Sequence, residues 1–155
     1  MTTPRDRVSF GYHTFPFFGL QAPGREAHPL PLIPLRARGP GGSFGRPFNA
    51  ILDTGSTSTL IPERLAARNG LSKSGVERAL SVIGAQAKGT EAGATLAIVD
   101  AHYPEVNCWE VADTVVLVMK DDDLEIPVLG WNILGLFEFT MDRRRQRISM
   151  KLHTE

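Results

Sequence analysis

The chain has 155 residues, 42% of them hydrophobic, with one cysteine and 17 basic against 17 acidic side chains. That length buries one compact core and excludes two complete lobes, and the balanced charge excludes recognition of nucleic acid or an anionic membrane through a global field. A single cysteine excludes an intrachain disulfide, and with no unbroken apolar leader or span of about twenty apolar residues the expected setting is a reducing cytoplasm, with Cys108 buried and inert.

One domain is expected over residues 1–155, with an aromatic N-terminal arm at 1–29 and a core at 30–152. In the arm, Phe10, Tyr12, Phe15, Phe17 and Phe18 alternate imperfectly, which predicts one or two strands separated by a bend. Pro29, Pro31 and Pro34 keep Leu30 to Leu35 extended and near a sheet edge, because proline cannot donate to a ladder. Gly39-Pro40-Gly41-Gly42-Ser43-Phe44-Gly45 predicts a flexible hairpin connection. The Arg46-Pro47-Phe48 that follows lacks the Lys-Ser/Thr and the helix that a phosphate cradle needs.

Phe48 to Leu52 and Thr59-Leu60-Ile61 are apolar runs of strand length on either side of Asp53. Pro62 suits the first position of a helix over Glu63-Arg64-Leu65-Ala66-Ala67-Arg68, which Asn69-Gly70 stops. Val76 to Ile83, Gly93 to Ala101 and Val106 to Met119 read as strands. Ile126 to Leu136 reads as a buried strand running into a short apolar helix. Phe137, Phe139 and Met141 then alternate with Glu138, Thr140 and Asp142, and Ile148, Met150 and Leu152 with Ser149 and Lys151, predicting a hairpin. The fold class is mostly β with one or two short helices, and no internal repeat suggests two catalytic lobes.

Chemistry centres on Ile51-Leu52-Asp53-Thr54-Gly55-Ser56. An aspartate at the end of an apolar strand stands on a rigid floor, and Gly55 permits a tight turn that a partner can approach. The same residues also suit an Asx-type turn. Two neighbouring carboxylates share one proton because like charges cannot both ionise cheaply, so one deprotonates a water while the other protonates a carbonyl. Such catalysis needs a pair, and Asp113-Thr114-Val115 lacks the glycine needed to stand in.

Two segments resemble the retropepsin family of single-domain aspartic peptidases. Ile51 to Ile61 resembles its active-site loop and following strand, and Val128-Leu129-Gly130-Trp131-Asn132-Ile133-Leu134 resembles its second signature. The likeness covers residues 30–152 and implies an acid-protease barrel, one lobe per chain. It implies an endopeptidase whose Asp53 pairs with Asp53 of a second copy in a homodimer, acting on an extended peptide or protein with an acidic to near-neutral optimum. By the same resemblance Thr54 hydrogen-bonds across the dimer, Gly55 contacts substrate through its backbone, and Ser56 supports the aspartate. Leu129 and Gly130 pack behind the loop. Gly84, Ala85, Gln86 and Ala87, within Ile83 to Thr90, are the flap residues it implies, and an ordinary surface hairpin suits them equally. A dimerisation or peptide-binding module without turnover is the alternative function.

Other constellations carry less. His13, His28, His102 and His153 are scattered and have no Cys pair beside them, so neither metal nor other cofactor is expected. Lys120-Asp121-Asp122-Asp123-Leu124-Glu125 reads as a solvated turn rather than a calcium loop, and Arg143, Arg144, Arg145 and Arg147 as hairpin surface. No elbow or Cys-His pairing marks a covalent nucleophile.

Overall fold

A computed structural model of the chain describes residues 13–16, 18–20, 28–82 and 85–153. Its elements in chain order are β1 (His13–Pro16), β2 (Phe18–Leu20), β3 (His28–Leu30), β4 (Leu32–Arg38), β5 (Phe48–Leu52), β6 (Leu60–Pro62) and α1 (Glu63–Arg68), then β7 (Lys73–Val82), β8 (Ala85–Val99), β9 (Asn107–Met119), β10 (Val128–Leu129), α2 (Trp131–Leu134), β11 (Phe137–Asp142) and β12 (Arg147–Leu152). One sheet runs β4-β5-β10-β6-β9-β8-β7, and a further β4–β8 pairing closes its first six strands into a barrel. Closure removes the exposed edges that an open sheet of this size would present.

The prolines explain how β4 takes two neighbours. Leu32 to Leu35 pairs with β5, whereas Leu35 to Arg38 pairs with β8. Pro34 therefore lies in the half with one partner, where its missing N–H costs no ladder bond. The edge expected from the prolines is local, and the strand as a whole belongs to the barrel wall. Its apolar residues are fully withdrawn from water, with Ile33 and Leu35 at 0% exposure, each burial favouring the folded state by about 1.5–3 kcal/mol.

The short helix forms where its signals predicted. Pro62 takes the N-cap position in an extended conformation, and Glu63 and Arg68 sit at the ends whose partial charges suit them. Gly70 then adopts φ 68°, a left-handed turn that a side chain would strain. The final hairpin keeps its predicted alternation, pairing Phe137 with Leu152 and Asp142 with Arg147. β1 joins it antiparallel, setting Phe15 opposite Ile148, and both side chains are buried in the main core. Phe10, Tyr12 and Phe17 lie outside the described residues.

β8 is longer than expected, and β9 carries a bulge. β8 starts at Ala85 rather than Gly93, pairing with β7 from its first residue and with β9 from Gly89 onward. The small residues there weaken a strand signal locally, and pairing with β7, joined by β9 from Gly89, overrides that weakness. Within β9, the register to β8 slips between Thr114 and Val111, and Asp113 takes φ 53° in the resulting bulge. No described helix is long and apolar enough to cross a membrane.

Cys108 is 3% exposed in β9. Burial, with a smaller contribution from the Asp100 charge, pushes its thiol up from the ordinary 9.0 to about 12. The thiol is raised in the folded state, so its contribution to stability is complete below pH about 9 and is lost as pH rises towards about 12. Native protein at pH 8 is expected to react with a chromogenic disulfide reagent about 100-fold or more slowly than urea-unfolded protein, the rate being set by opening. Equal rates would contradict this burial.

Candidate active site

The Asp53 loop connects β5 to β6, and β10 lies between those two strands. Val128 pairs parallel with Ile51 and antiparallel with Leu60. The backbone N–H of Asp53 continues that ladder by donating to the Leu129 carbonyl at 3.1 Å. The carboxylate then turns back on its own chain, Oδ1 accepting from the Gly55 N–H at 2.8 Å. This is an Asx turn, so the two readings of these residues describe one geometry.

Gly130 and α2 hold the loop from behind. A Cβ on Gly130 would lie 2.2 Å from the Ser58 carbonyl oxygen and 2.9 Å from that of Ser56, a contact only glycine permits. The next two peptide groups donate to the loop, Trp131 N–H to Ser56 O at 2.8 Å and Asn132 N–H to Thr57 O at 3.1 Å. The Trp131 indole N–H donates to Thr54 O at 2.6 Å. Thr59 closes the arrangement, its hydroxyl donating to Asn132 Oδ1 at 2.8 Å and accepting from Gly130 N–H at 3.2 Å. Asn132 Nδ2 donates onward to Val115 O.

Leu129 and Gly130 are buried behind the loop, whereas Thr54 and Gly55 are exposed beside Asp53. Ser56 directs its hydroxyl to Ser58 O at 2.6 Å, bracing the loop rather than the carboxylate. Asp53, Gly55 and Ser56 line an open cleft of about 750 Å³, whose facing wall includes Ala79, Leu80 and Ser81 of β7. The described flap residues named from the sequence lie at the end of the β7–β8 hairpin. Gln86 and Ala87 lie in β8 and line a smaller cavity of about 250 Å³ that shares Ala79 and Asp123 with the cleft. The backbone of Ala85 begins β8, and Gly84 lies outside the described residues.

Thr59, Trp131 and Asn132 hold the loop and were missed as site residues. The signal was present for Thr59, which opens an apolar run and is buried, where a polar group requires a partner. Among the described residues no group of three or more His, Cys, Asp or Glu could hold a metal ion. Asp113 is exposed in its bulge and does not line the cleft.

Residues 40–133 match a family described as aspartyl protease. The structure is similar to that of a retropepsin-like aspartic protease from Rickettsia conorii, with 16% identity over 76% of this chain and 88% of that one and a TM-score of 0.50. It is also similar to the EIAV protease complexed with the inhibitor HBY-793, at 15% identity, 75% and 92% coverage and a TM-score of 0.49. A third similar structure is the retroviral protease-like domain of Ddi1 from Leishmania major, at 12% identity, 81% and 95% coverage and a TM-score of 0.44. At such identities the likeness concerns the fold, which is retropepsin-like, mostly β and single-lobed. No curated protein matches the sequence.

Two substitutions test the loop clamp. Thr59→Val keeps the side-chain shape but strands the buried Gly130 N–H, and is expected to lower stability in urea unfolding by about 1–3 kcal/mol. Gly130→Ala forces the loop to move and is expected to cost about 3 kcal/mol or more, or to prevent folding. A neutral Gly130→Ala would show that the close approach is absent in solution.

Proposed function

The chain belongs to the aspartyl protease family, and we propose that it is an endopeptidase whose Asp53 activates water together with Asp53 of a second, identical copy. The observation that carries this reading is the Asp53 carboxylate, backed by the Gly130 and α2 clamp, on the wall of a cleft large enough for a peptide. Pockets of this volume are typical of ligand sites.

Two such carboxylates brought together hold one proton between them. The ionised member takes a proton from water as the oxygen attacks the scissile carbonyl, and the protonated member gives its proton to the carbonyl oxygen. Collapse of the tetrahedral intermediate returns a proton to the departing amine. One described lobe brings a single Asp-Thr-Gly loop to the cleft, so the second carboxylate is assigned to the partner copy. The exposure of Thr54, whose carbonyl Trp131 holds, supports a contact with that copy. Above the cleft, β7 pairs among the described residues with β8 alone, and its other edge offers backbone groups to an extended peptide. A shared proton requires one carboxylate charged and one neutral, so activity is expected to rise and then fall across acidic to near-neutral pH.

Peptide-library cleavage with wild type and Asp53→Asn, alongside sedimentation, tests the proposal. Wild type is expected to cleave as a dimer, and Asp53→Asn to lose about 10²–10⁴-fold in kcat/KM. Undiminished cleavage by Asp53→Asn defeats the aspartic mechanism, and cleavage by a stable monomer defeats the shared site. A dimer that binds peptides without cleaving them would instead be the binding module.

A further inference from the structure

The cleft carries negative charge beyond Asp53. Asp123 and Glu125, from the segment between β9 and β10, are exposed and line it, and among the described residues no lysine or arginine does so. Nor does any described side chain pair with either carboxylate: Arg64 reaches Asp121 Oδ1 and the backbone carbonyl of Glu125 instead. Lys88 and Lys120 line the smaller cavity that shares Asp123, which leaves Glu125 as the carboxylate whose charge acts on the main cleft alone.

Between these acids and Asp53 the wall is apolar. Leu60, Leu117 and Leu124 form a buried cluster against which Leu80 and Val128 pack, and all five line the cleft. An apolar wall with an acidic rim matches a side chain that has an aliphatic stem and a cationic head. A wholly aliphatic side chain would use the wall and leave the rim unpaired. Reach is also suitable: Glu125 stands four residues before Leu129, whose carbonyl holds the Asp53 N–H, a span of at most ~14 Å. An extended peptide covers that distance in about four residues.

We infer that the cleft selects peptides with lysine or arginine within about four residues of the scissile bond, Asp123 and Glu125 being the specificity-determining residues. The inference rests on the peptidase reading above. In a symmetric pair each copy supplies the same rim, so the preference extends to both sides of the scissile bond.

The test uses fluorescein-labelled peptide mixtures in which arginine, or its neutral near-isostere citrulline, is fixed at each position in turn. Binding is measured by anisotropy on Asp53→Asn, which cannot turn the peptides over, and kcat/KM on the otherwise unaltered protein. Arginine is expected to be preferred about fivefold at one or more positions at low ionic strength, and the preference to fade in about 0.5 M salt. The doubly neutralised Asp123→Asn, Glu125→Gln variant is expected to abolish it, and Glu125→Lys to reverse it. No preference, or one that survives double neutralisation, overturns the inference. Preferential binding without any cleavage supports the subsite and defeats the peptidase reading, whereas cleavage indifferent to charge sustains that reading and defeats the subsite.

Discussion

The approach of Gly130 to the Asp53 loop is the contact on which the arrangement of the site depends. It lets β10 run between β5 and β6, pairing parallel with the first and antiparallel with the second, so that Val128 is tied to Ile51 and to Leu60 at once. It also delivers the first peptide groups of α2 to the loop carbonyls, where Ser56 O and Thr57 O accept them. Each such bond contributes about 0.5–1.5 kcal/mol net. Their joint consequence is geometric: the loop has few conformations in which all these groups are satisfied, and Asp53 is presented in one of them. A methyl group on residue 130 would separate the two layers and release these bonds together.

The long strand β8 carries the same logic to the other wall of the cleft. Its C-terminal half pairs with β4 and β9 and so belongs to the closed barrel, whereas its N-terminal half pairs with β9 and β7 beyond the closure point. The hairpin of β7 and β8 therefore rises from a wall that cannot shift without opening the barrel. Lys73 to Ala79 of β7 are exposed, while Leu80 packs back onto Leu60, Leu117 and Leu124. That contact, with Ala87 of β8 packing on the same cluster, ties the hairpin to the floor near Asp53.

Most of the barrel was legible because its signals are local. The period-two alternation of Phe137 to Met141 and Ile148 to Leu152, the Pro62 and Asn69-Gly70 helix limits, and the apolar runs flanking Asp53 each reflect a rule that acts within a few residues. β8 was read short because Ala85, Ala87 and Gly89 are small, and only pairing with β7, and from Gly89 also with β9, makes that stretch a strand. The loop and its backing glycine were visible as two motifs, but the bonds joining them were not. Thr59 and Asn132 are 73 residues apart, and no pattern in the chain announces that their side chains meet. Ser56 shows the limit of a motif position: the residue type agrees, and its hydroxyl still turns to Ser58 O.

The proposed symmetric pairing rests on the topology more than on the motif. The remaining Asp-Thr pair, Asp113-Thr114, sits in a β8–β9 bulge with Asp113 exposed at φ 53°, in the barrel wall and away from the cleft lining. No rearrangement within one closed barrel brings that residue opposite Asp53 without breaking the β8–β9 ladder. A second carboxylate from another copy requires no such change, since Thr54 and Gly55 already lie exposed beside Asp53. Pairing two copies would also double whatever charge lines the cleft. An acidic rim that is minor in one chain would then flank the substrate at both ends, and the repulsion between the two rims would be relieved by a cationic peptide lying between them.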